Sequence, residues 1–448
     1  MGNRGRAGKR AGSHTDPQLS EMKGGSHPMK SILCLFVLVI SLISVLLTGC
    51  DPDKTGTSGN QNGGTGDQAK TVTITIGNLT DQTGPGAHGL TYVDLALKDM
   101  VDYYNNNDLI PGVHLKMINY DTQYDAARAV PGYEKLKSDG ADFIWTACPI
   151  MIPILKAHLD RDGFVAFTAT ANMEEDELKG GYIFSMGITP KNEAYTLLDW
   201  IAKNDESFPS DRPARVGGAA WDDGYNNLLF EAAKEYCDAH PEIYEWDTMF
   251  LTDIKFSWKT EAEHLMDCDY VFVPALPYLF MKDFREAGAE GKFLGTDPPL
   301  AFLREIGEMD LWDDIDGSLF IRSSRWYNET GPIIDIANQL LRQNYSKEKS
   351  AEIRRQGVGY LSVKQNYLML DIVRKAVEEV GAQNFNSQAL YEAATSWQYD
   401  YEGIPAFHSF TQIERIPTHY YAVYEARGDE QDVFRIHEEW LPKVDSLE

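Results

Sequence analysis

From Thr71 onward the chain alternates between two rhythms. Thr71-Val-Thr-Ile-Thr-Ile-Gly77 is a β-branched run that sets its apolar residues, Val72, Ile74 and Ile76, at every second place, the period of a strand. After a turn-rich loop, Asp81-Gln-Thr-Gly-Pro-Gly-Ala-His-Gly89, apolar residues recur at helical spacing from about Leu90 to Asn105. The exchange then repeats. Strands are predicted at Val113–Asn119, Phe143–Thr146, Phe164–Thr168 and Tyr182–Phe184, with helices at Ala126–Ser138 and Ile150–Leu159 between them. Past Gly187-Ile-Thr-Pro190 the pattern restarts with helix Asn192–Asn204, strand Arg215–Ala220, helix Asn226–Ala239 and strand Tyr244–Leu251. Helix Trp258–Met266, strand Tyr270–Pro274, helix Tyr278–Ala287 and strand Lys292–Gly295 continue it. Strand Leu319–Arg322 precedes helices Ile333–Asn344, Lys347–Arg355, Tyr360–Val380 and Ser387–Ala394, and Tyr420–Glu425 with Val433–Ile436 reads as a closing hairpin. Such alternation predicts an α/β fold of parallel sheets with helices on both faces, in two successive halves. Ligands of such folds sit outside the carboxyl ends of the strands.

The first seventy residues follow neither rhythm. Lys30 precedes an apolar run from Ile32 to Leu47, which ends in Leu47-Thr48-Gly49-Cys50. A basic start, an apolar core and small residues before a cleavage point describe an export signal, and the run is shorter than the roughly 20 residues of a spanning helix. Its end resembles the lipobox of bacterial lipoproteins, which implies a lipidated Cys50 as the mature N-terminus; a signal anchor that merely contains a cysteine is the alternative. Residues 1–28 are polar, Gly-rich and basic, and Met29 is an alternative start. Residues 51–70 carry almost no apolar side chain, so they are expected to form a flexible tether. Asp51 resembles the signal that retains lipoproteins in the inner membrane of some Gram-negative bacteria.

Composition narrows the partners. The formal charge is −27, and near −31 once residues 1–50 are removed. That balance argues against nucleic acid and against a polybasic hold on anionic lipid. Cys34 leaves with the signal and Cys50 is expected to carry the lipid, leaving Cys148, Cys237 and Cys268. An odd trio allows at most one disulfide; Cys237 and Cys268, both at the ends of predicted helices in successive βα units, are the candidate pair, against two ordinary buried thiols.

The order of elements and several loops resembles the type I periplasmic solute-binding proteins, specifically the branched-chain amino-acid group that serves ABC importers. Val72–Thr83 with Gly84 is similar to the opening strand and Leu-Thr-Gly loop, and Tyr120-Asp-Thr-Gln-Tyr-Asp-Ala-Ala-Arg-Ala-Val to the acidic turn and its helix. Tyr182-Ile-Phe184 resembles the strand before the hinge, and Asp222-Asp-Gly-Tyr225 the Asp-Asp-x-Tyr-Gly element. Gly295-Thr-Asp297 falls where the family places a cleft acid. The resemblance spans nearly all of Thr71–Glu448. It implies two doubly wound parallel-sheet lobes joined by a three-crossover hinge, lobe one being 71–189 plus 325–412 and lobe two 190–324 plus 413–448.

On this resemblance, the ligand sits among Thr83, Gly84, Trp145, Thr146, Ala147, Cys148, Thr168, Thr170 and Asn172 on one lobe. Trp221, Asp223, Tyr225, Tyr278 and Asp297 face it from the other. Backbone N–H groups where Trp145–Pro149 opens a helix suit a carboxylate. The family has a serine directly after the position of Cys148; here it is Pro149, with neither hydroxyl nor N–H. Tyr124 stands where the family often has a cysteine. Both departures weaken a simple branched-chain amino-acid assignment. Asn172 can act as a polar contact or as a helix cap. Asp297 is a partner for a ligand ammonium or the start of an Asp-Pro turn. Trp145, Trp221 and Tyr278 are candidates for stacking on a flat or cationic ligand, or for core and rim. No G-x-S-x-G, H-E-x-x-H, Walker A or paired C-x-x-C is present. The chain is therefore expected to be no enzyme and to need no cofactor or metal. The expectation is a lipid-anchored, extracytoplasmic binding protein that hands a small solute (an amino acid, amide or aromatic acid) to an ABC permease. A membrane-tethered sensor for a signalling receptor and a hydrolase using cleft carboxylates are the alternatives.

Overall fold

The computed structural model describes residues 71–170, 173–187, 189–253 and 255–447, without the side chain of Glu175. The predicted signal, Cys50 and the tether lie outside the described residues, and no helix among the described residues is long and apolar enough to cross a membrane. The first sheet holds β1 (Val72–Thr80), β2 (Val113–Asp121), β3 (Phe143–Thr146), β4 (Ala166–Thr168) and β5 (Ile183–Ser185), all parallel, in the order β2-β1-β3-β4-β5. Between them run helices α1 (Ala87–Asn106), α2 (Ala129–Ser138), α3 (Met151–Asp162) and the single turn α4 (Glu175–Leu178). The chain steps outward from β1 to β2 and then returns past β1 to β3. Right-handed crossovers therefore place α1 on one face and α2 with α3 on the other. The period of β1 agrees: Ile74 and Ile76 join the core under α1, and Leu79 joins the core under α2 and α3.

The second half begins with α5 (Pro190–Asn204) and β6 (Ala214–Trp221), followed by α6 (Gly224–Ala239), β7 (Tyr244–Thr252), α7 (Lys259–Leu265) and β8 (Tyr270–Phe272). α8 (Pro277–Glu286), β9 (Lys292–Gly295), α9 (Leu303–Glu308) and β10 (Leu319–Arg322) complete its parallel part. The chain then returns through α10 (Pro332–Asn344), α11 (Lys347–Arg355), α12 (Val363–Val380) and α13 (Ser387–Thr395). These helices finish the first lobe: Asp99 of α1 accepts from the Tyr345 and Tyr360 hydroxyls at 2.8 and 2.5 Å. A hairpin, β11 (Gln398–Tyr401) and β12 (Ile404–Ser409), leads to β13 (Tyr420–Arg427), β14 (Asp432–Arg435) and β15 (Leu441–Pro442). The second sheet runs β14-β13-β10-β9-β8-β6-β7, with β13 antiparallel on β10.

Three segments, 186–187 with 189, 323–331 and 410–419, cross between the two lobes, and hydrogen bonds tie the first and third together. Ser185 N donates to Arg415 O at 2.8 Å, Thr418 Oγ1 to Gly187 O at 3.2 Å, and the buried Arg415 Nε to Gly181 O at 2.7 Å.

The sequence reading misses the β11–β12 hairpin, whose Gly403 and Pro405 break the strand pattern, and the short α9. One expectation is overturned. Cys237 and Cys268 are separate free thiols. Because β6 lies between β7 and β8, α6 and α7 fall on opposite faces of the sheet. The glycines of β6 mark the two sides: a Cβ on Gly217 would meet Leu265 and the Cys268 Sγ, and one on Gly218 would meet Phe230 of α6. The two sulfurs belong to different cores.

The segment before α12 presses on the loop after β9. Gly357 adopts φ +81°, and a Cβ there would lie 1.8 Å from the Leu300 carbonyl oxygen. Gly357→Ala is therefore expected to destabilise the chain by at least the roughly 1–3 kcal/mol of a strained backbone position. The readout is a lower urea midpoint at unchanged slope.

Candidate functional site

Both sheets turn the carboxyl ends of their strands toward one cleft. From the first lobe come Gly86, Gly89 and Leu90 after β1, Ala147 and Pro149 after β3, and Ala169 and Thr170 after β4. From the second come Asp223, Tyr225 and Asn226 after β6, Ala275 after β8, and Asp297, Pro298, Ala301 and Phe302 after β9. Ser323 and Ser324 of the second crossover and Leu361, Ser362 and Gln365 near the start of α12 close the floor. The cavity volume is about 260 Å³, just under the roughly 300–1,000 Å³ usual for drug-sized ligands. The wall is largely apolar.

Its polar centre is Glu193. Thr189 caps α5, its hydroxyl accepting from Asn192 N, and Pro190 fixes the first turn, so Glu193 follows at the lobe boundary with 0% of its surface exposed. The Tyr225 hydroxyl donates to Glu193 Oε2 at 2.5 Å and lies 2.9 Å from Thr296 Oγ1. Glu193 Oε1 has no partner. Burial pushes the carboxyl well above its ordinary range; the Tyr225 bond opposes the shift, and the charge of Asp297 adds to it.

Below the wall lie two cations. Arg322, 0% exposed, donates from Nε to Asp297 Oδ1 at 2.5 Å and from Nη2 to Ser324 Oγ at 2.9 Å. Its guanidinium sits 4.6 Å from the Trp326 ring centre and 5.4 Å from that of Tyr424. Lys364 donates to Ser323 O at 2.6 Å and to Ser323 Oγ at 3.1 Å. Burial pulls its ammonium down to about 7, against the pull of Asp297.

Tyr124 lines the cleft from a strained loop. Gln123 and Tyr124 hold φ of +55° and +52°, where side-chain-bearing residues rarely stay. Gly86 makes room for the ring: a Cβ on it would stand 3.0 Å from Tyr124 Cδ2.

Of the residues expected from sequence, Ala147, Thr170, Asp223, Tyr225 and Asp297 line the cavity. Asp223 also caps α6, accepting from Asn226 N at 2.8 Å, and burial raises its carboxyl. The others stand behind the wall or beside it. Thr83 donates to Asp121 at 2.7 Å, and the Gly84 and Gly86 amides donate to Asp81 at 2.5 and 2.7 Å. Trp145 is buried in the core, and Thr146 donates to Leu79 O and accepts from Cys148 N. Cys148 is buried, which pushes its thiol up to about 12. Thr168 donates to Thr170 O at 2.8 Å. Trp221 packs on the core, and Tyr278 packs at a tilt against Phe302, 6.4 Å between ring centres. Asn172 lies outside the described residues. Glu193, Phe302 and Gln365 are lining residues that the sequence reading does not single out, and Tyr124, noted there only as a departure from the family pattern, lines the cavity as well. The only signal for Glu193 was its place one turn after the Gly-Ile-Thr-Pro break.

A family model described as periplasmic binding protein matches residues 73–431. Among solved structures, a branched-chain amino acid ABC transporter protein from Thermus thermophilus with bound valine aligns with TM-score 0.70 at 17% identity, covering 84% of this chain and 98% of that one. A fatty acid ABC transporter substrate-binding protein from Thermomonospora curvata aligns at 0.68 and 16%, covering 83% and 93%. A solute-binding protein from R. palustris in complex with 4-hydroxybenzoate aligns at 0.66 and 14%, covering 83% and 97%. No curated protein matches the chain by sequence.

Two outcomes are expected from this geometry. Asp297→Ala leaves the Arg322 charge buried without its counter-ion and should cost about 3–5 kcal/mol of stability in a denaturant titration. Asp297→Asn, which keeps an acceptor, should cost less. The second concerns pH. Glu193 holds its proton more tightly folded than unfolded, so wild-type stability falls as pH rises from its ordinary value of 4.5 through the raised one. Glu193→Gln lacks that loss. Its stability relative to wild type should therefore improve between pH 5 and pH 8, and a gap that stays constant would contradict the assignment.

Proposed function

Because the chain belongs to the periplasmic binding protein family, we propose that it is the lipid-anchored, extracytoplasmic receptor of an ABC importer. It captures a small organic solute between two lobes and presents it, unchanged, to a membrane permease. The residue limits are lobe one at 71–189 plus 325–412 and lobe two at 190–324 plus 413–448. The observation that carries this reading is the cleft itself, a small, mostly apolar cavity walled by strand ends of both sheets around a buried Glu193–Tyr225 pair. A ligand that touches both walls favours the closed arrangement of two lobes on a hinge. The neighbours with bound valine and 4-hydroxybenzoate support a solute of that size. The contacts proposed for it are Ala147, Thr170, Asp223, Tyr225 and Asp297, joined by Glu193 and Tyr124.

The anchor is proposed on Cys50 and the leash on residues 51–70, which leaves the binding body free to reach its permease.

A thermal-shift screen of amino acids, amides, amines and aromatic acids is expected to give a stabilising hit, and small-angle scattering a smaller radius with that hit present. A screen without hits across those classes would remove the capture reading. Cys50→Ser is expected to move the protein from the membrane fraction to the soluble fraction; membrane retention by the variant would remove the lipid anchor.

A further inference from the structure

The cleft is rich in acceptors and poor in donors where a carboxylate would need them. At the first-lobe edge, the Gly84 and Gly86 amides are both used by the internal carboxylate of Asp81. The Cys148 amide is used by Thr146, the Ala169 amide by the Thr146 carbonyl, and Pro149 has none. Among the described residues lining the cavity there is no Lys, Arg or His, but there are three acids, Glu193, Asp223 and Asp297. The cations nearby do not line the cavity: Arg322 pairs through Nε with Asp297, its Nη1 lacking a partner, and Lys364 donates to Ser323. Three buried oxygens in the lining have no partner: the acceptors Glu193 Oε1 and Gln365 Oε1, and the Thr170 hydroxyl, which can donate or accept. A buried acceptor left unpaired is costly, and a ligand that supplies N–H groups removes that cost.

We infer that this cleft takes a small apolar amine without a carboxylate, its protonated nitrogen set against Glu193 and its hydrocarbon body against Leu90, Phe302 and Leu361. This rests on the capture reading and narrows it. An ammonium gains from an ionised partner, so Glu193 gives up its proton to solvent when the amine arrives; one cation enters as one proton leaves. Affinity therefore rises with pH through the range in which empty-site Glu193 is protonated. A carboxylate would meet three acids in the lining and no basic side chain there, with the Thr170 hydroxyl as its one unpartnered buried donor.

The test is calorimetry on the detergent-solubilised full chain with matched probes. These are 3-methylbutylamine, leucine and 4-methylpentanoate, and phenethylamine, phenylalanine and 3-phenylpropionate. The amine of each set is expected to bind at least tenfold tighter than its amino acid and its acid. Heats compared between phosphate and Bis-Tris at pH 6 should show net proton release on amine binding. Glu193→Gln should weaken the amine at least tenfold and abolish that release; the wild-type buffer comparison serves if the variant does not fold. Acids or amino acids binding as tightly as amines, or amines binding without proton release, would overturn the inference and leave solute capture standing. If no probe binds and the wide solute screen is also empty, the capture reading falls with it.

Discussion

A guanidinium with no exposed surface stands where the chain leaves the second lobe, and much of the cleft follows from what it requires. Taking an ion out of water costs several kcal/mol unless its geometry and hydrogen bonds are nearly complete. Arg322 therefore draws its partners from separate parts of the fold: the carboxylate of Asp297 after β9, the Ser324 hydroxyl of its own crossover, and the ring faces of Trp326 and Tyr424. Lys364 acts from the returning helices, fixing Ser323 through two hydrogen bonds. Two buried basic groups thus hold the floor of the cavity in one path, and neither lines the space above, although Arg322 Nη1 is left without a partner. The wall can be apolar and acid-lined because its balancing charge lies underneath.

The alternation of strands and helices was legible because parallel sheets covered on both faces impose it on the sequence with little ambiguity. What the linear pattern does not carry is winding order. Cys237 and Cys268 end successive helices, so their spacing suggested a bridge; the position of β6 between β7 and β8 separates them by a sheet. The site divides in the same way. Ala147, Thr170, Asp223, Tyr225 and Asp297 could be found since each sits just beyond a strand end, the place where this architecture gathers its loops. Trp145 misled because it lies within β3 rather than beyond it, and its ring turns into the core. Glu193, Phe302 and Gln365 had no local signature, because each reaches the cavity through a crossover, a short turn or the packing of returning helices.

The loop after β1 shows how the character of such a cleft is set by a single internal charge. A run of backbone amides near the start of α1 would ordinarily be an anion seat. Asp81, with no exposed surface, occupies that seat from within, taking the Gly84 and Gly86 amides with its two oxygens. The loop is thereby tightened, and the Gln123–Tyr124 turn beside it is held in a left-handed conformation that costs of order 1–3 kcal/mol per residue. That strain is sustained only if neighbouring contacts over-determine it, and Gly86, lacking a Cβ, lets the Tyr124 ring lie close enough to do so. The result is an aromatic face beside a loop whose amides are already taken. Local strain, a self-satisfied anion seat and an orphaned buried carboxyl are three separate departures from economy, and all three bear on the same side of the ledger: they remove donors from the cavity and leave acceptors behind.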